Sequence, residues 1–592
     1  MTYDLNTQRH STAHLLASAV QKLWPKTKFG IGPVTKDGFY YDFEFPTEII
    51  ENDLSKIEDV MNKLKKQDLP FERSEISISE AIKMERERGQ IYKVELLEQI
   101  ESTGDTKVDH EENINLEKEA RTAVKKVTYY KSGEFLDLCR GPHVKSTGQI
   151  GHFKLLNITG AYWRGAETNK MLTRIYGVTW ETEKQLKEYT TKLELAKSRD
   201  HKKIGTNLKL FTFLPQAPGM PFWYSKGFIL LNELKEFARE INKKYGYHEI
   251  STPFLAKKEV WEQSGHWDLF RDDMFVFNID KETYALKPMN CPETLLLYNS
   301  EQHSHKDLPI KLSDLDYLHR NEASGTLNGL FRTREFSQDD AHIICSNEQI
   351  RAVVGELIDM ATEIFSVFRF KPTYYLATKP DKALGEASAW KEAETLLSNT
   401  LKEKNVEHYL KPKDGAFYGP KIDLHIEDAL GRNWQLATIQ LDFQMPKRFR
   451  ATYINGKGAK ETPIMIHRAI LGSFERFIAI LIEHFAGGFP TWLAPIQVVV
   501  IPITDRTVSY SQNIVERLKA ENIRAKADVR SETLQSRIRD SQLEKIPYMI
   551  IIGDKEQVQK KISLRSMEKG DEGIYLLDNF IARLKDEIKT RK

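Results

Sequence analysis

The stretch HRNEASGTLNGLFRTREFSQDDAH, from His319 to His342, decides the fold of this chain. Its pattern predicts a strand, a polar loop and a second strand, with arginines beside an acidic, metal-capable cluster. Guanidinium groups hold phosphates and carboxylates in a fixed orientation, so we expect a site that binds a triphosphate together with a small amino-bearing ligand. The side chains that suggest such a site are Arg320, Glu322, Arg332, Arg334, Gln338, Asp339, Asp340 and His342.

The size and composition of the chain indicate an ordinary protein of several domains. At 592 residues it is too long for one hydrophobic core, so about three or four domains are expected. It is 40% hydrophobic and 29% charged, which is typical of soluble proteins. Lys and Arg number 87 and Asp and Glu 85, so the bulk charge gives no nucleic-acid signature. RNA binding would depend on a local basic groove.

The three cysteines, Cys139, Cys291 and Cys345, are too few and too irregularly spaced for a disulfide framework. This usage is typical of a reducing compartment. The N-terminus lacks the apolar core of a signal peptide. No uninterrupted apolar run reaches the roughly 18 residues that a membrane span needs. We therefore expect a cytoplasmic protein without membrane contact.

Hydrophobic periodicity divides the chain into four segments. The first segment, 1–178, contains the charged stretch Glu101–Lys126, which is interpreted as an exposed insertion. The second, 179–207, is predicted as one connecting helix from Trp180 to about Lys202. The elements predicted in the first segment are helix Ser11–Trp24, a strand over 38–43, helix Leu54–Gln67 and helix Ser79–Glu87 with Ser79 as its N-cap.

The rest of the chain is predicted to form two further domains. In the third segment, 208–494, strands such as Thr438–Phe443 alternate like members of an antiparallel sheet. The fourth, 495–592, alternates strands with helices and is predicted as a small, mostly parallel α/β domain. The fold class is therefore multidomain α+β and α/β. Other elements predicted in the third segment are helix Phe228–Lys243, strand His248–Thr252 and helix Leu471–Phe485.

Three motifs, in this order, resemble those of class II aminoacyl-tRNA synthetases, and in detail those of the threonyl-tRNA synthetase family. They are the helix and strand that end at Pro253, the run from Arg320, and PIMIHRAILGSFERFIAIL, which contains Arg476. The resemblance extends from Gln8 to Arg591, and the small N-terminal ubiquitin-like domain of many relatives is missing. It implies an editing domain, an antiparallel catalytic domain and an anticodon-binding domain. It also implies a homodimer that attaches L-threonine to tRNA(Thr).

The resemblance implies roles in activation of the amino acid by ATP with Mg²⁺. Attack of a carboxylate on the α-phosphate requires that negative charges be screened and aligned. For the amino acid and ATP, the implied residues are Arg320 at the α-phosphate and carboxylate, Arg332 and Arg476 at the outer phosphates or adenine, Glu322 at the adenine amino group, Phe336 on the adenine ring, Gln338 and Asp340 at the substrate amine and hydroxyl, Tyr418 and Lys421 in the pocket, and Gln435 at the ribose. His266 would lie near the terminal ribose of the tRNA; the alternative for it is an ordinary buried histidine.

The family also supplies a metal assignment, which the spacing alone does not give. Cys291 in MNCP, His342 in DDAH and His467 in MIHR lie in the strings that provide zinc ligands in the family. One thiolate and two imidazoles leave Zn²⁺ an open position, which threonine can fill with its amine and hydroxyl. Valine lacks that hydroxyl. A site built to bind a substrate hydroxyl rejects the analogue without it by about four to five orders of magnitude.

Serine also has an amine and a hydroxyl, so zinc cannot exclude it. The missing methyl is worth only about 1–3 kcal/mol, and a separate proofreading site is therefore predicted. HxxxH on a helix with a distant CxxxH resembles the editing domain of threonyl- and alanyl-tRNA synthetases. The quartet is expected to be metal-free, although four N/S ligands could hold zinc; the simpler alternative is a structural helix with two surface histidines. The residues concerned are His10, His14, Lys93, Asp137, Cys139 and His143.

By the same resemblance the last domain reads the anticodon, whose splayed bases suit arginine and glutamate side chains. The candidates are Arg530, Glu532, Glu556 and Arg565, and the alternative is that each is a solvated surface charge. Glu335 is a departure from the family pattern that is expected to place an acid near the phosphates. Two other hypotheses stay open, a non-enzymatic paralogue that binds tRNA or structured mRNA, and a class II synthetase for another amino acid such as serine or proline.

Overall fold

The computed structural model describes residues 3–103, 125–166, 168–428 and 431–591. The chain separates into two compact units, residues 1–194 and 195–592. Most of the charged stretch Glu101–Lys126, interpreted above as an exposed insertion, lies outside the described residues. None of the helices within the described ranges is long and apolar enough to cross a membrane.

The first unit packs helices on two antiparallel sheets, with strand orders β1-β2-β7-β6 and β3-β4-β5. Its first helix begins after Asp4, whose carboxylate accepts a hydrogen bond from the Thr7 amide, so it starts earlier than predicted. The elements are α1 (Leu5–Leu23), β1 (Lys28–Phe29), β2 (Phe39–Glu44), α2 (Asp53–Lys66), β3 (Glu72–Ser77), α3 (Ile78–Glu87), α4 (Ile91–Thr103), β4 (Lys126–Ser132), β5 (Phe135–Leu138), β6 (His152–Tyr162) and β7 (Met171–Trp180).

Two local predictions for residues 1–207 were wrong. The N-cap of α3 is Ser77 rather than Ser79, because Ser77 and Glu80 exchange side-chain and backbone hydrogen bonds in a capping box. The single connecting helix is two helices, α5 (Glu183–Arg199) and α6 (His201–Asn207). The break lies at Asp200, whose backbone is not helical and whose carboxylate accepts from the Lys202 amide at 2.7 Å. Asp200 thus caps the second helix.

The second unit contains a nine-stranded sheet. Its strand order is β10-β15-β17-β24-β21-β20-β18-β19, and β16 pairs alongside β17. The elements are β8 (Phe211–Phe213), β9 (Pro221–Trp223), α7 (Ser225–Lys244), β10 (His248–Ile250), β11 (Leu255–Lys257), α8 (Lys258–Ser264), α9 (His266–Phe270), β12 (Val276–Ile279), β13 (Glu282–Leu286), α10 (Cys291–Tyr298), β14 (His303–Ser304), β15 (Ile310–Asp314), β16 (Tyr317–His319), β17 (Glu335–Cys345), α11 (Ile350–Val367), β18 (Pro372–Ala377), α12 (Ala387–Glu403), β19 (His408–Lys411), β20 (Lys421–Glu427), β21 (Asn433–Asp442), α13 (Met445–Arg448), β22 (Tyr453–Ile454), β23 (Lys460–Glu461), β24 (Ile464–Ser473) and α14 (Phe474–His484).

The middle of this sheet is antiparallel, as the sequence predicted, from β15 through β17, β24, β21 and β20 to β18. The helix predicted over Leu471–Phe485 begins only at Phe474, because the preceding residues continue β24. Gly472 makes this transition with φ +66°, and a Cβ there would lie 2.8 Å from the carbonyl oxygen of Leu436. Only glycine fits this turn without strain.

The last part of the second unit is an α/β domain. Three of its strands, β26, β25 and β27, are parallel, while β28 and β29 add antiparallel pairs, so the predicted mostly parallel sheet is a mixed one. The elements are β25 (Val498–Pro502), α15 (Val508–Ala520), β26 (Ala525–Ala527), α16 (Leu534–Leu543), β27 (Tyr548–Ile552), α17 (Asp554–Gln559), β28 (Lys561–Ser566), β29 (Gly570–Leu576) and α18 (Leu577–Thr590).

A buried ion pair joins β17 to β24 on the side of the sheet away from the polar cluster. Alternation along β17 turns Asp339 away from its neighbours Gln338 and Asp340. The Asp339 carboxylate accepts from the fully buried Arg468 at 2.6 Å and from the Leu471 amide at 3.2 Å. Each charge therefore depends on its partner, since neither reaches water.

We expect Arg468→Met to destabilise the second unit by about 3–5 kcal/mol, because it leaves the Asp339 carboxylate buried without its partner. Adding Asp339→Leu should recover much of that loss. Arg351→Met is the matched control, since Arg351 is 61% exposed and pairs with Glu403 at the surface. The free energy of unfolding, measured by hydrogen exchange of the β17 amides at increasing denaturant concentration, tests this. If Arg468→Met alone were as stable as Arg351→Met, the prediction would be wrong.

Candidate functional sites

A cavity of about 320 Å³ in the second unit gathers the predicted arginines. Its wall combines the loop before β17 with β21, the end of β24 and the start of α14, which are far apart in sequence. The structure thus brings together most residues assigned to the nucleotide. The lining residues are Arg320, Glu322, Phe331, Arg332, Thr333, Phe336, Gln338, Gln435, Leu436, Thr438, Ala469, Gly472, Ser473 and Arg476.

Arg320 is a half-buried cation in the wall of this cavity. Its guanidinium lies over the ring of Phe336, 5.1 Å from the centroid, and its Nε donates to the Pro288 carbonyl at 3.3 Å. Burial lowers the pKa of Arg320, but a guanidinium stays charged at any physiological pH. Because its own hydrogen bond goes to a carbonyl rather than to a carboxylate, the charge remains available to an anion.

Arg476 is held by the loop that it faces. Its Nε donates to the carbonyl of Phe331 at 3.0 Å. The preceding residue, Glu475, is fully buried and accepts from the Ser337 amide at 3.0 Å. Burial raises the pKa of Glu475 to about 7. The first turn of α14 is therefore tied both to the loop and to β17.

Two acids in this region have partners of their own. Glu322 and Arg332, which the resemblance assigns to the adenine and to the outer phosphates, bond to each other with an Nε–Oε2 distance of 2.8 Å. Glu335 does not line the cavity, and its carboxylate lies 3.1 Å from Nε2 of His319. Its side chain is engaged by His319 instead, and the expectation that it places an acid near the phosphates stays a prediction.

A second feature of the same sheet is a buried cluster of Cys291, His342 and His467, whose potential ligand atoms all lie within 4.8 Å of one another. The two histidines are direct cross-strand partners on β17 and β24, with ring centroids 5.0 Å apart. Cys291 opens α10. Behind His467, the Asp442 carboxylate lies 2.9 Å from Nε2. A carboxylate in this position commonly orients a histidine that binds a metal.

The chemistry of this cluster suits a cation with affinity for sulfur and nitrogen. Burial, and then Asp340 and Asp442, raise the pKa of the Cys291 thiol, and burial lowers the pKa of His342. A thiolate here therefore needs a nearby positive charge, which a bound metal supplies. One sulfur and two nitrogens are a donor set for Zn²⁺, whereas Mg²⁺ and Ca²⁺ prefer oxygen. The residues present fit a zinc ion.

Polar side chains surround this cluster. Asn290 Nδ2 donates to Asp340 at 3.0 Å, and the Tyr418 hydroxyl donates to Gln440 while its ring stacks on His467. Asn290 and Gln440 were missed from the sequence. Asn290 directly precedes Cys291 in the sequence, and this position could have identified it as a candidate site residue. Gln440 becomes visible only through the register that pairs it with His467.

His266 and Lys421 lie close to this region without lining the cavity. His266 is buried, and its ring nitrogens lie 2.8 Å from Ser264 Oγ and 3.1 Å from the sulfur of Met289. Burial lowers the pKa of His266 to about 4, so the ring is neutral near pH 7. Lys421 forms an ion pair with Asp423 at 2.9 Å.

The first unit has a cavity of its own, about 430 Å³ in volume. His10, His14 and Cys139 line this cavity, and His143 joins them to form a quartet whose ligand atoms lie within 4.8 Å of one another. Cys139 Sγ lies 3.2 Å from His10 Nε2 and 3.3 Å from His143 Nε2. The alternative of two surface histidines on a structural helix is wrong, because His14 is buried and the quartet converges.

A charged pair lies beside this quartet. Lys93 and Asp137 are 2.5 Å apart, and the Tyr41 hydroxyl donates to the same carboxylate at 2.6 Å. His14 Nε2 is 3.7 Å from it. Tyr41 was missed from the sequence, because a buried tyrosine in a strand gives no functional signal. The Asp137 carboxylate is thus the point at which a lysine, a tyrosine and a histidine meet.

The protonation state of the quartet follows from burial. Burial raises the pKa of Cys139 to about 12 and lowers the pKa of His10, His14 and His143. The cysteine is therefore a thiol and the imidazoles are neutral near pH 7. Neutral imidazoles can accept a proton from water or ligate a metal.

The four anticodon candidates do not all meet. Arg530 and Glu532 follow β26 and Glu556 follows β27, so these three lie at the carboxyl edge of the parallel strands. Arg565 is paired with Met549 near the start of β27, toward the other edge. The structure therefore brings three of the four candidates to one edge and leaves Arg565 apart.

Two of those candidates already have partners in the chain. Arg530 forms ion pairs with Asp528 at 2.7 Å and Asp540 at 2.8 Å, with its side chain 51% exposed. Glu556 accepts from the Gly553 amide at 2.9 Å and caps α17. Both side chains therefore have structural roles of their own.

Protein-family models match three parts of the chain. The tRNA synthetase class II core domain (G, H, P, S and T) matches residues 275–485, and the anticodon binding domain matches residues 497–587. The threonyl and alanyl tRNA synthetase second additional domain matches residues 127–176. The first match contains both the arginine cavity and the cluster of Cys291, His342 and His467. The third contains Asp137, Cys139 and His143.

Similar proteins extend over nearly the whole chain. The threonine–tRNA ligase of Carboxydothermus hydrogenoformans is 46% identical over 584 residues, which is 99% of this chain and 89% of that protein. The threonine–tRNA ligase of Acetivibrio thermocellus is 44% identical over the same shares. Among solved structures, the RNA binding domain of threonyl-tRNA synthetase from Cryptosporidium parvum matches 65% of this chain and 98% of its own, with 40% identity and a TM-score of 0.64.

The histidines of the first unit should make its stability depend on pH. The pKa of each buried imidazole is lowered, so below about pH 6.5 the unfolded chain binds protons that the folded chain does not. The stability contribution is complete above pH 6.5 and is lost as the pH falls toward the folded pKa, by at most about 1.4 kcal/mol per pH unit for each ring.

We therefore expect α1 amides, corrected for intrinsic exchange rates, to be less protected from hydrogen exchange at pH 5.5 than at pH 7.5. Helix α15 is the internal control, because residues 485–592 contain no histidine. Equal protection of α1 at both pH values would mean that these rings do not titrate differently on unfolding.

Proposed function

This chain belongs to the threonyl-tRNA synthetase family and is a class II threonine–tRNA ligase, and we propose that it selects threonine with zinc and removes mischarged serine in its first unit. The two alternatives left open by the sequence, a non-enzymatic paralogue and a synthetase for another amino acid, are set aside by this membership. The observation that carries the proposal is the convergence of one cysteine and two histidines beside an arginine-lined cavity.

Activation of threonine by ATP is assigned to that cavity. Arg320, half-buried and hydrogen-bonded to a carbonyl rather than to a carboxylate, would bridge the α-phosphate and the amino-acid carboxylate. Arg476 would hold the outer phosphates from the opposite wall, and Phe336 would stack on the adenine. Among the described residues that line the cavity, Glu322 is the only carboxylate, so Mg²⁺ would be held mostly by phosphate oxygens and water. Both arginines would act by aligning charges that exist before the reaction begins.

Selection of threonine is assigned to the zinc cluster. Zinc held by Cys291, His342 and His467 would supply a Lewis-acidic position for the amine and hydroxyl of the substrate. Asp340, fixed by Asn290, would accept from the substrate amine, and Tyr418 would close the pocket. Valine would leave these polar groups without partners, which costs far more than a missing methyl.

Editing is assigned to the cavity of the first unit. The neutral rings of His10 and His14 would take a proton from a water molecule that attacks the ester of Ser-tRNA(Thr). Lys93, held by Asp137, would orient the substrate, and the hydroxyl of the tRNA ribose would participate. We propose that the quartet acts without a metal, because Asp137 already engages Lys93 and Tyr41 and the cavity holds its own proton carriers.

Two further assignments complete the proposal. The three residues at the carboxyl edge of the last domain, Arg530, Glu532 and Glu556, would meet the anticodon of tRNA(Thr), and His266 would assist transfer to the terminal ribose. We also propose a homodimer, supported by aromatic side chains that lie before, within and after α7 in the sequence and are 41–49% exposed. They are Phe222, Tyr224, Phe228 and Phe254.

Cys291→Ala is expected to lower bound zinc from about one ion per chain to near zero, because the only sulfur donor of the cluster is removed. Threonine-dependent ATP–pyrophosphate exchange should fall by more than about 100-fold. Cys345→Ala is the matched control, since Cys345 is equally buried but lies outside the cluster. Metal analysis and the exchange assay test this. A zinc-free variant with normal exchange would refute the proposed role.

Replacing His10 and His14 with Ala should leave Thr-tRNA(Thr) formation unchanged while Ser-tRNA(Thr) accumulates, because the proton acceptors of the editing cavity are lost. His152→Ala is the control, being an exposed histidine of the same unit. Deacylation of preformed Ser-tRNA(Thr) is the direct measurement. If the double variant clears it as fast as the control does, the editing assignment is wrong.

A further inference from the structure

His201, the first residue of α6, is a buried histidine outside the sites assigned above. Its Nδ1 lies 2.8 Å from Glu483 Oε1, and its Nε2 accepts the backbone N–H of Leu330 at 3.1 Å. Because a backbone N–H can only donate, Nε2 must carry the lone pair and Nδ1 the proton. The carboxylate and the peptide together hold the ring in one tautomer and one orientation.

This arrangement is not a metal site, although Asp200, His201 and Glu483 are close enough to form one. Both ring nitrogens are engaged by the protein, and Glu483 also accepts from the His201 amide at 3.0 Å. Glu483 forms a further ion pair with Arg432. The donors that a metal would need are therefore already used in holding the ring.

The peptide that His201 holds leads directly to the nucleotide cavity. Phe331, the next residue after Leu330, accepts from Arg476 Nε through its carbonyl at 3.0 Å. Its ring packs edge-on against His201, with centroids 4.4 Å apart, and stacks on Trp434 at 4.2 Å. Phe331 and Arg476 both line the cavity. The place of the Arg476 guanidinium therefore depends on where this stretch of loop lies.

These contacts form a closed circuit. Helix α14 carries Arg476 in its first turn and Glu483 about two turns later. Glu483 contacts the His201 ring, and His201 accepts from the Leu330 amide. The next residue, Phe331, accepts from Arg476, which lies on the same helix as Glu483. The fit is tight, because a Cβ on Gly329 would lie 2.3 Å from Nε2 of His201. A change at His201 should therefore reach the arginine rather than be absorbed locally.

We propose that His201 is a positioning residue for the ATP-dependent step, which sets the Arg476 guanidinium against the ATP phosphates through the Leu330–Phe331 peptide. This inference rests on the assignment of the arginine cavity to ATP. His201 itself touches neither substrate, and it lies outside the zinc cluster. Its loss should therefore weaken the use of ATP and leave the recognition of threonine intact.

The test is His201→Phe, which keeps a ring against Phe331 but removes both hydrogen bonds. In ATP–pyrophosphate exchange the KM for ATP should rise about tenfold, as expected for one lost hydrogen bond that orients a phosphate ligand. The KM for threonine and the zinc content should stay unchanged. His201→Gln places an amide oxygen near the Nε2 position and should recover much of the ATP KM.

Two controls separate positioning from a purely structural role. His484→Phe alters a histidine of the same helix α14 that packs on Phe370 rather than on the loop, and its ATP KM should match the wild type. In an Arg476→Lys background, His201→Phe should add little, because its effect passes through the same guanidinium. A full additional effect there would overturn the proposal.

The remaining outcomes are also decisive. If His201→Phe folds poorly, Glu483→Gln should show the same rise in the KM for ATP. This variant keeps the shape of the acceptor but removes the charge that fixes the imidazole. Unchanged KM values with only a lower melting temperature and active fraction would overturn the inference. Wild-type protein without threonine-dependent exchange would instead contradict the proposed function, so the two failures are distinguishable.

Discussion

The pairing of β17 with β24 is the constraint on which the active centre depends. Its register sets His342 opposite His467 and Asp340 opposite Ala469. The loop that carries Arg320 enters β17, and β24 leads through Gly472 into the helix that carries Arg476. A slip of one residue in a strand would turn its side chains, among them Asp340, His342 or His467, to the other face of the sheet and would shift the loop or helix that follows it. The cluster of Cys291, His342 and His467 and the arginine-lined cavity therefore depend on a single strand alignment.

The two cavities use similar donors in different surroundings. In the second unit, the Asp442 carboxylate stands behind His467, and burial, followed by Asp340 and Asp442, raises the pKa of the Cys291 thiol, so a bound cation would stabilise its thiolate. In the first unit, the nearest carboxylate is already engaged by Lys93 and Tyr41. The carboxylates beside the two clusters are thus engaged by different partners. Residue type alone does not distinguish the two; their partners do.

Much of the fold could be predicted from the sequence, because strand alternation and helical periodicity are local properties. Alternation indicated the antiparallel sheet, whereas the Cys–His sets could be expected to converge only from the resemblance to the family, because their spacing alone does not give them. The register partner Gln440, the tyrosine beside Asp137 and the role of His201 could not be predicted, since each depends on contacts between distant segments. Local hydrogen bonding decided other differences, such as the helix break at Asp200.

The buried Arg468–Asp339 pair has a consequence for how this pocket could change over evolution. Each member is a chain neighbour of a pocket residue, His467 in one strand and Asp340 in the other, yet both face away from the substrate side. The pair thus fixes the register of β17 and β24 from the opposite face of the sheet. A shift of either strand would leave two unpaired charges in the core. Side chains on the face that carries Asp340 and His467 can thereby change while the two strands keep their alignment.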